Sequence, residues 1–417
     1  NVDLGGRGEE HTRELYRFVA GATGTFNEDW RYEVAFNYGR LNQSYVTAGN
    51  VLRAEANRAA DAARNAQGQI VCRVNAVTIT DPNCVPANFF GEGNVSQAAR
   101  DYFLVESRRD EWAEQINAVA FMSGDLSQLF ELPGGPVGFA VGGEWRQERD
   151  FSTFDDTTRS GLTFLNALGT FDPPTLRVWE LFGEVRVPLL ANMPFVEELT
   201  LEGSGRYSNY NVGGTGGVFA WNLGGVWAPS RDLRLSAGYA RALRAPTQTN
   251  LFGALNQTFL NGLVDPCSQN RIRDNPNRVA NCAAAGVPTT QTFNGSTEPF
   301  TNVPTAGISG FNGSNPNLEE ERSTSLTIGA VLQPRAVPGL TFTVDYYNIE
   351  IENAILTLGA QTIIDQCYDA PGGIDNQFCR ALTRNPNGTF AGQENVNHAG
   401  GVVNFPRTGS SFTQGPF

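Results

Sequence analysis

The sequence predicts an all-β protein, an antiparallel transmembrane β-barrel present in part, with about ten strands and long extracellular loops. Three observations predict it. Residues alternate with a period of two through one segment after another. Aromatic residues stand at the ends of the apolar faces, and short connections alternate with long ones.

Alternation sorts side chains onto opposite faces of a strand, so each segment reads as two faces. The first sets Tyr16, Phe18, Ala20, Ala22, Gly24 and Phe26 against Arg17, Val19, Gly21, Thr23 and Thr25. After the turn Asn27-Glu28-Asp29, Trp30, Tyr32, Val34, Phe36 and Tyr38 oppose Arg31, Glu33, Ala35 and Asn37. Glu111–Leu126 alternates less clearly, with Ile116, Ala118, Ala120 and Met122 on one face. Next, Val137, Phe139, Val141, Gly143 and Trp145 oppose Ala140, Gly142, Glu144 and Arg146. The pattern recurs in Trp179–Val187, Leu199–Ser208, Phe219–Trp227, Leu233–Tyr239, Ser325–Leu332 and Leu340–Tyr346.

A water-soluble sandwich alternates too, but it has no reason to repeat Trp and Tyr at strand ends. Amphipathic rings at the headgroup level of a bilayer give that placement. The opposite faces mix Arg and Glu with Gly, Ser and Thr, as a wet interior requires. About nine residues at ~3.4 Å each, tilted about 45°, cover roughly 22 Å of the membrane normal, near the ~25 Å apolar band.

Short connections fall at Asn27–Asp29, Ser127–Pro136, Pro188–Glu198, Pro229–Asp232 and Pro334–Gly339. Long ones fall at Arg40–Asp110, Phe151–Thr175, Asn209–Gly217, Leu243–Arg322 and from Ile351 to the end. Turns on one side and loops on the other is the build of an outer-membrane barrel. The cysteines form three close pairs, one in each of three long loops: Cys72 with Cys84, Cys267 with Cys282, Cys367 with Cys379. Zinc ligation prefers C-x2-4-C spacing and His partners, which are missing here, so local disulfides and an oxidising compartment are expected. Leu52–Gln69 is Ala-rich and predicts a short surface helix across a loop mouth.

Composition narrows the function. All 30 basic residues are Arg, against 43 acidic ones, for a net charge of −13. Nucleic-acid backbone, which calls for clustered positive charge, is excluded as a partner. No run approaches the roughly 18 apolar residues of a membrane-spanning helix. The two His, His11 and His398, have no partner motif such as G-x-S-x-G, so no catalytic residue and no enzyme is expected. Asp155-Asp156 and Glu319–Glu321 lack the D-x-D-x-D-G pattern of a calcium loop, and neither metal nor cofactor is expected.

Tyr239–Phe252 contains Arg244, Ala245 and Pro246 followed by Leu251 and Phe252. Asn315–Ser323 contains Asn315, Pro316, Leu318 and Glu321 ahead of a strand, and Val344–Ile351 forms the next. In order and spacing, the chain from about Tyr16 onward resembles the barrel of a TonB-dependent outer-membrane receptor. The resemblance implies a Gram-negative outer membrane, with its lipid and lipopolysaccharide as surroundings. It also implies active uptake of a scarce nutrient (siderophore, cobalamin, oligosaccharide or similar) bound at the outer loops. TonB would act through an N-terminal plug inside a barrel of about 22 strands. No plug is read before Tyr16 and the final strands are not read before Phe417. Residues 1–417 are therefore expected to be one partial barrel domain.

In such a barrel Glu144, Arg146, Glu180, Glu184, Arg186, Glu202, Arg206 and Arg234 are expected to line the lumen as a charge ladder. Ligand contacts are expected from Leu243–Arg322 and Arg40–Asp110, with Phe89, Phe90, Phe259, Phe293, Phe300 and Phe311 as candidates. The all-Arg complement suits lipopolysaccharide phosphates, and GC-rich coding explains it equally well. A passive porin and a secreted β-rich adhesin stand as alternatives.

Overall fold

The computed structural model describes residues 2–390 apart from 28, 165 and 303–307, together with the backbone of 412–413. Its main feature is one ten-stranded sheet. The strands are β1 (Glu9–Phe26), β2 (Trp30–Val51), β3 (Leu104–Asp125), β4 (Gly138–Phe154) and β5 (Leu176–Met193). Then come β6 (Val196–Tyr210), β7 (Gly217–Ser230), β8 (Leu233–Arg244), β9 (Glu321–Leu332) and β10 (Phe342–Glu352). Each pairs antiparallel with its chain neighbours, so the sheet is an unbroken meander with β1 and β10 at its edges. The ambiguous stretch before Leu126 is β3, paired on both sides.

Strand length corrects the sequence reading. β2 and β3 have 22 residues each and β1 and β5 have 18. Beyond the aromatic ends both faces turn polar, so hydrophobic contrast disappears while the hydrogen-bond ladder continues. The connection read as Arg40–Asp110 therefore shrinks to residues 52–103. Likewise β5 continues through Pro188 to Met193 and leaves a two-residue turn at 194–195. Pro188 has no N–H for the ladder, and the register with β6 shifts there: Leu199 faces Leu190, then Thr200 faces Pro188.

The helix expected over Leu52–Gln69 is α1 (Arg53–Ala60), half that length, with Ala56 and Ala59 buried. The chain then turns into the hairpin 62–72, where Asn65 Oδ1 accepts from the Gln67 and Gln69 amides and Gly68 takes φ +77°. An Asx turn competes with a helix for those donors and wins here.

Packing divides the molecule. The sheet has an uncovered apolar face carrying Val34, Trp145, Leu181, Leu223, Ile328 and Val344, all exposed. Two small cores lie in the loops instead. The first packs α1 against α2 (Gln97–Phe103) through Ala59, Ala99 and Phe103. Among the described residues no helix is long and apolar enough to cross a membrane, which says nothing of strands.

Candidate ligand-binding end of the sheet

Long connections gather at one end of the sheet, and two of them, 245–320 and 353–390, fold into a shared cap. α3 (Arg278–Ala284) comes from the first and α4 (Ala360–Asp369) from the second. Leu263, Phe300, Ile308, Ile363, Ile364 and Phe390 fill the space between them, each 2% exposed or less. Cys267–Cys282 and Cys367–Cys379 are disulfides within their own loops, and both border this core. Cys72–Cys84 closes the third loop.

Polar contacts join the two loops more specifically. Arg278 donates from Nε and Nη2 to the Asp369 carboxylate at 2.5 and 3.0 Å, and Asn281 donates to the Tyr368 carbonyl at 2.8 Å. Deeper in, Arg384 grips Asp265 through Nη1 and Nη2 at 2.6 and 2.7 Å. Its guanidinium lies 4.0 Å from the Phe390 ring centre and donates from Nε to the Tyr368 hydroxyl at 2.7 Å. Burial pushes that hydroxyl above the usual tyrosine range. The Asp265 side chain is fully buried and that of Arg384 is 9% exposed. A buried pair of this kind persists because each charge is the other's solvation.

Between the loops lies a cavity of about 400 Å³ lined by Leu260, Val264, Arg271, Asp274, Gln361 and Asp365. Burial pushes the Asp365 carboxyl above its ordinary value. Within loop 52–103, Asp81 accepts from the Tyr102 hydroxyl at 2.6 Å and from Arg58 at 3.0 Å. The Tyr102 hydrogen bond holds the Asp81 carboxyl below its usual range.

The motif segments meet where this end joins the sheet. Arg244 closes β8 and Glu321 opens β9; they face each other in register and their side chains form an ion pair. Glu321 also accepts from the Ile355 amide at 2.7 Å, tying the second cap loop to the same point. Thr247 caps the one-turn helix Gln248–Phe252 reciprocally with Asn250. Pro246, Leu251 and Leu318 are buried, and the Asn315 amide donates to Asn250 O at 2.9 Å. Ala245 and Phe252 are half-buried, while Pro316 is exposed.

The charged face of the sheet carries a connected ladder. Arg206 lies 3.3 Å from Glu180 and 3.7 Å from Glu144. Arg146 reaches Glu144 at 3.5 Å, and Asn117 donates to Glu144 at 2.7 Å. Nearer the turns, Arg186 lies 3.4 Å from Glu202 and 3.5 Å from Glu198, which Arg234 approaches at 3.9 Å. Glu184 lines the same groove as Arg186 and Glu202.

The loop phenylalanines divide. Phe300 is 2% exposed and belongs to the cap core, so it is corrected from a ligand candidate to a packing residue. Phe89 packs 5.9 Å from the Phe103 ring, and Phe311 is half-buried. Phe90 is 87% exposed and Phe259 36%. The Phe293 side chain and His398 lie outside the described residues. Sequence reasoning missed Val77 and Ile79, exposed within the Cys72–Cys84 loop, and the Arg384–Asp265 pair, for which no local pattern exists.

A family model described as TonB dependent receptor-like, beta-barrel, matches residues 3–397. No curated protein matches the chain. Among solved structures it is similar to a variant of the ferric enterobactin receptor PfeA from Pseudomonas aeruginosa, at 14% identity, over 82% of this chain and 36% of that one, with a TM-score of 0.42. The siderophore receptor PirA from Acinetobacter baumannii gives 13% identity, 83% and 36% coverage and 0.42. The RagAB peptide transporter gives 10%, 84%, 31% and 0.42. The chain spans about a third of the length of each. With the family model matched over nearly its whole length, this chain belongs to the TonB-dependent receptor β-barrel family.

Proposed function

We propose that this chain is barrel wall and outer cap of a Gram-negative outer-membrane receptor that binds a scarce nutrient at its loop end. Import would draw on TonB through a plug supplied by the rest of the protein, and the charged face would line the lumen. One observation carries the reading: the same ten strands present an aromatic-edged apolar face and an Arg–Glu face, and end in a cross-linked cap. A rigid cap can hold variable contact residues in place, and exposed Phe90 and Phe259 are the candidates for ligand contact.

The test is uptake by cells carrying the full-length receptor, with and without TonB, over siderophore, cobalamin, oligosaccharide and peptide substrates. Uptake that requires TonB and falls when Phe90 and Phe259 are changed to Ser supports the reading. Uptake that persists without TonB identifies a passive channel. Full-length protein that stays soluble without detergent overturns the barrel assignment.

A further inference from the structure

On the apolar face, Trp30 marks the turn end of β2, and about ten residues further along the same face stands Arg40. At ~3.4 Å per residue and a tilt of about 45°, that separation is about 24 Å along a membrane normal, the height of the apolar band. Arg40 thus stands where head groups begin on the loop side. There the face changes character.

The Arg40 guanidinium stacks 4.7 Å from the Trp112 ring centre, and Arg149 lies over the same indole at 5.5 Å. Phe151 stacks on Trp112 at 6.0 Å. The Glu114 carboxylate lies between the two guanidiniums, 3.2 Å from Arg40 and 3.8 Å from Arg149, and accepts from the Tyr38 hydroxyl at 3.2 Å. The registers Arg40 with Glu114, Asn42 with Trp112, and Glu114 with Arg149 place all of these on the face of Val34 and Trp145.

Two guanidiniums face one carboxylate. Their donors are mostly uncommitted by the contacts described: Arg40 donates from Nε to Asn42 and from Nη1 to Glu114, and Arg149 approaches Glu114 through Nη1. The Arg40 and Arg149 side chains remain 35% and 50% exposed. Stacking on one indole fixes the planes of both forks before any anion arrives. Planar, pre-oriented guanidiniums are the groups that take phosphate bidentately.

We propose that Arg40 and Arg149, held by Trp112 and Glu114, bind a phosphate of an anionic glycolipid in the outer leaflet. The inference rests on the membrane placement proposed above. Its test uses full-length receptor stripped of lipid in detergent, then titrated with phosphorylated lipid A, dephosphorylated lipid A, or inorganic phosphate, with bound species counted by native mass spectrometry. Wild-type protein should prefer the phosphorylated lipid. The R40Q/R149Q variant should bind it at least tenfold more weakly, while R186Q/R234Q, altered on the opposite face, should match wild type. Equal binding by R40Q/R149Q overturns the site, and phosphate displacing the lipid at equal concentration overturns the lipid assignment in favour of a free anion. Failure of the receptor to partition into membranes would sink the barrel reading itself, whereas membrane insertion with unaltered lipid binding would sink this inference alone.

Discussion

The Trp30 indole covers Gly124 across the β2–β3 ladder: a Cβ on Gly124 would stand 2.6 Å from Trp30 Cδ1. The same indole donates its N–H to the Asp125 carbonyl at 2.8 Å and meets Phe139 edge-on at 5.0 Å. Glycine is thus the seat of an aromatic ring at the turn end, and Phe219 over Gly205 repeats the packing toward the loop end of β6 and β7.

Gly124→Val should displace Trp30 and cost about 1–3 kcal/mol, the usual penalty of overpacking. Gly39→Val is the control, because a Cβ there meets nothing within 4 Å. Urea titration of heat-modifiable gel mobility in the full-length receptor measures both. Equal tolerance of the two changes would refute the packing role.

Neighbouring residues test which face meets lipid. Leu223→Arg should cost about 2–4 kcal/mol near mid-strand, whereas Asn222→Arg, one residue away on the charged face, should be nearly neutral. The apolar groove lined by Leu223 and the polar groove lined by Asn222 lie on opposite sides of β7. The same folding assay reads both variants.

Removing Arg384 leaves Asp265 as a fully buried, uncompensated charge. Arg384→Met should therefore destabilise the cap by about 3–5 kcal/mol, and adding Asp265→Leu should recover a large part of it. Limited proteolysis of the segments 245–320 and 353–390 follows the cap while heat-modifiable mobility follows the sheet. Protease resistance unchanged in R384M would show that the pair contributes nothing.

Loop 52–103 should respond to acid and to alkali. The Asp81 carboxyl is depressed by its hydrogen bond from Tyr102, so its contribution is present above the ordinary carboxylate value and is lost as pH falls through the depressed one. Burial first, and then the Asp81 hydrogen bond, raise the Tyr102 hydroxyl, whose contribution is lost as pH rises through its elevated value. Hydrogen exchange in residues 52–103 should accelerate at both extremes. Tyr102→Phe should weaken both dependences; a profile identical to wild type would remove the pair from the account.

The strand faces were legible because a bilayer on one side and water on the other impose different residue types at alternate positions. Leu223 next to Asn222, or Val34 next to Glu33, shows that contrast in a single step. Past Arg40 it vanishes: Asn42 and Ser44 alternate with Gln43 and Tyr45, and only backbone pairing with β1 and β3 shows that the strand goes on. The cap was illegible for a different reason. Asp265 and Arg384 are 119 positions apart, and no periodicity announces a contact of that range. Phe300 and Phe90 look alike in sequence, and only their neighbours make one a core residue and the other an exposed one.

From Trp30 to Val51, β2 runs 22 residues, which at ~3.4 Å each and a tilt of about 45° is roughly 50 Å of height, twice the apolar band. Half of that strand, with the part of β3 paired to it, is a mast. In the membrane placement proposed above, it would carry α1 and the disulfide-closed loop about 25 Å beyond the apolar band. Bulky solutes would then meet these loops before they reach the lipid, so the length of two polar strand ends would set how far from the cell a ligand is first intercepted.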